Sequence, residues 1–155
     1  MTTLSGIITP TNVLTASSTA TLTNKTLNAA REVITISATA ASSTVNFDVI
    51  TQSVLYYTTD ASGDWTLNVR GDGSNSLDSI ISTGESITVA FLATQGATAY
   101  YQSAFTIDGS SVTPKWQGGS APTEGNASGI DAYVINIIKT GSATFTALAS
   151  ITQFA

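Results

Sequence analysis

Apolar and polar residues alternate along much of this chain, and the phase of that alternation locates most of its strands. Trp65-Thr66-Leu67-Asn68-Val69-Arg70 is the cleanest case: Trp65, Leu67 and Val69 share one face, and Thr66, Asn68 and Arg70 the other. Ile87, Val89 and Phe91 repeat the pattern after Gly84. Val33 to Ser37, Val45 to Val49 and Ser53 to Thr58 are short β-branched or alternating runs and read as further strands. Beyond Gln95-Gly96, Thr98 to Ile107 reads as a long strand pairing with the run before it, ending at Asp108-Gly109. Ala132 to Lys139 and Ala143 to Ala149 predict a hairpin around Thr140-Gly141.

Turn-forming clusters punctuate these runs. Asp60-Ala61-Ser62-Gly63-Asp64 and Gly71-Asp72-Gly73-Ser74-Asn75-Ser76 predict loops, the second leading into one helical turn over Leu77 to Ser82 with Ser76 as its N-cap. The stretch from Pro114 to Gly129 holds two of the three prolines and four glycines, and reads as a long loop. Eight or so strands with almost no helix predict an all-β fold, an antiparallel β-sandwich of jelly-roll type over residues 31–155. Residues 1–30 differ. They are rich in Thr, Ser and Ala, and their apolar residues Leu4, Ile7, Ile8, Val13, Leu14, Leu22 and Leu27 are too sparse for a core. An extended N-terminal arm is expected there, one whose spaced side chains dock on a neighbouring subunit or a larger particle.

Composition narrows the chemistry. The 155 residues include no histidine and no cysteine, and carry ten Asp and Glu against five Lys and Arg, for a net charge of -5. The usual Ser-His-Asp and Cys-His relays and the usual zinc ligands are therefore missing. Scattered cations and a pI near 4.2 argue against a nucleic-acid partner. No run approaches the length of a membrane span, and the opening residues lack the basic and apolar regions of a secretory signal, so synthesis in a cytoplasm is expected. The reading predicts no enzyme, no metal and no cofactor.

Arg70-Gly71-Asp72 spells a cell-adhesion tripeptide but closes a strand into a Gly-rich turn. Asp60-x-Ser62-x-Asp64 and Asp72-x-Ser74-x-Ser76-x-Asp78 space oxygens as calcium loops do, without the Gly and Glu an EF-hand needs; solvated turns are the simpler reading. Glu85, Glu124 and Asp131 are carboxylates that a glycan hydrolase could use, with no diagnostic pairing among them. Trp116, Tyr100 and Tyr101 are the candidate contacts for a glycan or a partner, because aromatic faces accept sugar rings. Trp116, flanked by Pro114, Gly118 and Gly119, can equally pin its loop to the body.

Two stretches resemble known proteins. Thr21 to Leu27, TLTNKTL, resembles a linker motif of bacteriophage tail-fibre and virion structural proteins. Ser86 to Gly109, Pro114 to Gly141 and Ala147 to Ala155 resemble a small C-terminal module in structural proteins of marine phages, particularly cyanophages. The resemblance implies a virion surface protein made in the bacterial host cytoplasm, often a homotrimer and attached to capsid or tail proteins. The absence of a repeated shaft sequence favours a capsid-decoration protein or short tail appendage. A receptor- or glycan-binding module at a tail-fibre tip, facing a cell-surface glycan, is the alternative.

Overall fold

The computed structural model describes residues 28, 29 and 31–155; the expected docking residues Leu4 to Leu27 lie outside them. Val33–Ala155 form one compact unit, separate from Met1–Glu32, and are described by themselves. The unit is all β apart from one α-helical turn and a short 3-10 turn over Gln117–Gly119. Its strands are β1 (Thr35–Ala40), β2 (Ser43–Asp48), β3 (Val54–Thr59), β4 (Trp65–Arg70), β5 (Ser86–Thr94), β6 (Gln102–Ile107), β7 (Ser110–Ser111), β8 (Lys115–Trp116), β9 (Ile130–Gly141) and β10 (Thr144–Phe154). Helix α1 spans Leu77–Ile80.

The first six strands go alternately to two sheets. The large sheet has the order β1-β3-β5-β9-β10-β8 and the small one β2-β4-β6-β7. β1, β3 and β5 run parallel, as do β2, β4 and β6. Each pair of consecutive strands is thus one rung of a parallel stack, laid out as in a solenoid. Only β7 against β6, and β9 against β5 and β10, are antiparallel.

This corrects the expectation of an antiparallel jelly-roll sandwich. The physical reason lies at the corners, which carry the chain across to the opposite sheet instead of folding it back beside itself. Ala41, buried, and Ser42 make the first corner, turned by Ser43 at φ 52°. Successive corners then stack through the backbone: Ser62 N donates to Ala41 O at 3.0 Å, and Ala61 N to Thr94 O at 2.8 Å. The third corner also explains why Thr98 to Ile107 is not one long strand beside β5. Gln95 turns its buried amide onto Tyr100, accepting from Tyr100 N at 3.0 Å and donating to Tyr100 O at 2.7 Å, so the chain is tied into a loop before β6 begins. At this corner Gly96 lies against Asp60 of the second, where an added Cβ would stand 2.8 Å from Oδ2 and the exposed Asp60 side chain would have to swing aside.

Between the sheets lies the core. Trp65, Leu67 and Val69 are fully buried on β4 as their alternation requires, facing Val89 and Phe91 of β5 and Tyr133, Ile135 and Ile137 of β9. A string of edge-to-face rings crosses it. Tyr57 meets Phe91 at 5.2 Å, Phe91 meets Trp65 at 5.9 Å, and Trp65 meets Tyr133 at 5.7 Å. Such contacts add about 0.5–1.5 kcal/mol each beyond the area they bury. The predicted β9–β10 hairpin is present, but its turn is Ser142-Ala143 and not Thr140-Gly141: β9 runs on to Gly141, which pairs with Thr144, and Ala147 lies opposite Ile137. The predicted helical turn is present too: Ser76 Oγ accepts from Ser79 N at 3.1 Å, and Asp108 takes Leu77 N at 2.6 Å and Asp78 N at 3.1 Å. Lys139, buried on β9, fastens that turn by donating to Asp78 O and Ile81 O and pairing with Asp78 Oδ1 at 2.8 Å.

Candidate functional site

The outer faces of the sheets show what each presents to its surroundings. On the small sheet, Asn46, Asn68 and Thr106 stand in register on β2, β4 and β6. Asn68 Nδ2 donates to Asn46 Oδ1 at 2.8 Å, while its Oδ1 accepts from Thr106 Oγ1 at 2.8 Å and Gly109 N at 2.9 Å. One position on, Arg70 Nε pairs with Asp48 Oδ1 at 2.6 Å, a bond that holds the guanidinium pKa above its ordinary value. The segments Val45-Asn46-Phe47-Asp48, Leu67-Asn68-Val69-Arg70 and Phe105-Thr106-Ile107-Asp108 share one pattern: apolar, amide or hydroxyl, apolar, charged. This short repeat is the sequence signal of the parallel rungs, and strand-by-strand reading passes over it.

The large sheet is finished differently. Its register puts Ile36, Tyr56, Leu92, Ala132 and Thr152 in one row across the outer face, and Val54, Ala90, Val134 and Ser150 in the next. Leu148 and Phe154 lie on the same face of β10. No charged side chain falls on this face from β1 to β10; Lys115, opposite Leu148 on β8, is the first. Ile36 is 64% exposed, Leu148 44% and Val134 39%, and Val33 and Ile34 lead into β1 also exposed.

Trp116 takes the second of its two readings and pins its segment to the body. It lies on β8, opposite Ala149 of β10, and packs half-buried against Tyr133 with ring centroids 6.4 Å apart. On its other side is a groove of about 300 Å³ between β6 and the crossing from β7 to β8. Tyr100 and Tyr101 do not line this groove. They sit in the corner between β5 and β6, where Tyr100 packs on the core and Tyr101 N donates to Asp64 Oδ1 at 3.1 Å. Tyr56 and Tyr57, by contrast, lie in β3 and so point to opposite faces of the large sheet.

The acidic candidates are dispersed. Glu85 accepts from Ser82 N at 2.6 Å beside the start of β5, whereas Asp131 lies near the other end of the same sheet, because Ser86 pairs with Ile138 and Thr94 with Ile130. Eight strand steps put the two about 25 Å apart, too far to act on one glycosidic bond. Glu124 is exposed in the loop before β9. Asp131 itself is fully buried, with Oδ2 accepting from Gln95 Nε2 at 3.0 Å and Asn126 N at 3.1 Å, and burial holds its pKa above the ordinary carboxylate value. In the adhesion-like loop, Asp72 Oδ1 accepts from Ser74 N and Asn75 N, each at 2.7 Å, which lowers the Asp72 pKa and closes the turn. Among the described residues no three Asp, Glu, His or Cys side chains gather as a metal site would need. No protein-family model, curated protein or solved structure matches the chain.

Proposed function

We propose that this chain is a non-enzymatic structural protein of a phage virion, an exterior capsid-decoration or short tail-appendage protein that associates with copies of itself, as a trimer, through the outer face of its large sheet. The observation that supports self-association is the charge-free face itself. Protein interfaces are depleted of charge at their centres, and a face with Ile36, Leu92, Val134 and Leu148 at its surface gains by being covered. The phage reading is supported by the resemblance over Ser86 to Gly109 and Pro114 to Gly141. Residues 1–30 are the docking arm in this proposal, supplying Leu4, Ile7, Ile8, Val13, Leu14, Leu22 and Leu27 to the particle.

Two experiments test it. Light scattering on the purified chain should give about three times the 15.9 kDa of one copy, and the double substitution Val134→Glu, Leu148→Glu should return it to one copy with its melting temperature unchanged. A wild-type chain that stays single at every concentration overturns the face as an interface. Separately, particles assembled with a chain lacking residues 1–30 should lose the protein; full retention would place docking on the body.

A further inference from the structure

We propose that the groove between β6 and β8 binds a neutral carbohydrate ring, with Trp116 as the stacking platform and Gln102 as the polar anchor. The groove shares Trp116 with the hollow beside Val134 and Leu148 on the outer face of the large sheet, and its other lining residues lie off that hollow. Three features of its lining point to this ligand class.

The first is an aromatic and apolar wall. Trp116, Phe105 and Pro122 all line the groove. Trp116 is held by its edge-to-face contact with Tyr133, itself fully buried, so the ring is fixed before a ligand arrives. A hexose presents one face of axial C–H groups to such a ring and keeps its hydroxyls at the rim. A fixed platform lowers the ordering cost of binding.

The second is a polar group with unspent capacity. Gln102 is 4% exposed and lines the groove, yet its Oε1 takes no hydrogen bond from any described residue. Buried acceptors are nearly always paired, and leaving one unpaired costs free energy; a shift of the Gln102 amide toward the groove would let a ligand hydroxyl recover it. Its backbone is fixed as well, Gln102 N donating to Tyr133 Oη at 3.2 Å. Ser111 and Thr113 add hydroxyls on the opposite wall.

The third is charge. No Asp, Glu, Lys or Arg lines the groove. A charged ligand would lose its hydration without gaining a counterion, whereas a neutral polyol loses nothing of that kind. At about 300 Å³ the space suits one sugar ring or two.

The chain has two tryptophans, and they make a built-in test. With the full chain labelled with 15N at tryptophan, Trp116 should report the groove and Trp65, fully buried in the core, should serve as the internal control. Methyl glycosides of glucose, galactose, mannose and N-acetylglucosamine are titrated in turn. At least one should move the Trp116 indole signal saturably, with a dissociation constant of about 1 mM as fits a ligand of this size, while Trp65 stays put. Ser111→Trp, an exposed position on the two-residue β7, should fill the groove and weaken that binding at least tenfold without altering the Trp65 signal. Methyl glucuronide, the same ring bearing a carboxylate, should bind no more tightly than methyl glucoside. The site is overturned if no neutral glycoside moves Trp116, if Ser111→Trp binds as the wild type does, or if a proline-rich peptide moves the signal and sugars do not. Tighter binding of the glucuronide overturns the argument from charge.

Discussion

On the outer face of the small sheet, Asn46, Asn68 and Thr106 spend their hydrogen bonds on one another; on the outer face of the large sheet, Ile36, Tyr56 and Leu92 occupy a comparable row whose one polar group, Tyr56 Oη, accepts from Thr94 Oγ1 at 3.4 Å. Both rows run along the stacking direction of the same rungs. Lateral bonding on the small sheet fixes register from one rung to the next, because a slip by one residue would turn Asn68 inward and Leu67 out. On the large sheet register is fixed mainly from inside, by Phe91, Tyr133 and Ile135, and on the outside by the bond from Asn136 Nδ2 to Thr88 Oγ1 at 2.9 Å, while Ile36, Leu92 and Val134 on that face make no such bond. Side chains that the fold does not bond are ones that assembly can use.

The largest expected effect tests whether that inside really holds both sheets. Trp65→Ala removes a fully buried ring that touches both Phe91 and Tyr133, and should cost about 3–5 kcal/mol in denaturant unfolding. A loss under 1 kcal/mol would mean the sheets do not depend on a shared core.

Next comes the contrast between the faces. Asn68→Ala strips three hydrogen bonds from the small sheet and should cost about 1–3 kcal/mol. Val134→Ser, on the outer face of the large sheet and 39% exposed, should stay within about 0.5 kcal/mol when the chain is held as single copies. Equal losses at the two sites would erase the distinction drawn between them.

The smallest effect is on pH dependence. Asp131 has a folded pKa above its unfolded value, so its contribution to stability is fully present below the unfolded value and is lost as pH rises through the folded one. Asp72 and Asp78 run the other way: their pKa values are lowered, Asp72 by the Ser74 and Asn75 bonds and Asp78 by Lys139 and Ala143, so their contributions hold above the unfolded value and fade as pH falls through the folded ones. The wild type should therefore melt higher just above the ordinary carboxylate range than at neutral pH, and Asp131→Asn should flatten that rise. An unchanged profile in the variant would show that the carboxyl is not the titrating group.

Much of this was legible one strand at a time. The alternation from Trp65 to Arg70 places three side chains correctly because burial on one face needs only a local period of two. The β9–β10 hairpin and the Ser76 cap were readable for the same reason: their partners lie nearby in sequence. Pairing of β1 with β3 and β5 was not, since parallel and antiparallel neighbours impose the same alternation, and the evidence for rungs is spread over the matched segments at Asn46, Asn68 and Thr106. That Trp116 pins its segment was one reading of its flanking prolines and glycines, but its partner was hidden, because Tyr133 arrives from a distant strand. The open acceptor on Gln102 has no sequence signature at all.

The rungs also give the body two unlike ends. At the near end β1 and β2 are each six residues long and have a neighbour on one side only among the described residues; β1 is uncharged, and β2 carries Asp48. At the far end β8 pairs with only Leu148 and Ala149 of the eleven-residue β10, and β7 with only Thr106 and Ile107 of β6. Both ends thus present unpaired strand, a template that can join like edge to like across a two-fold axis or one end to the other in an open row. Assembly through faces avoids that ambiguity, because the number of copies is then set by geometry rather than by how much protein is at hand.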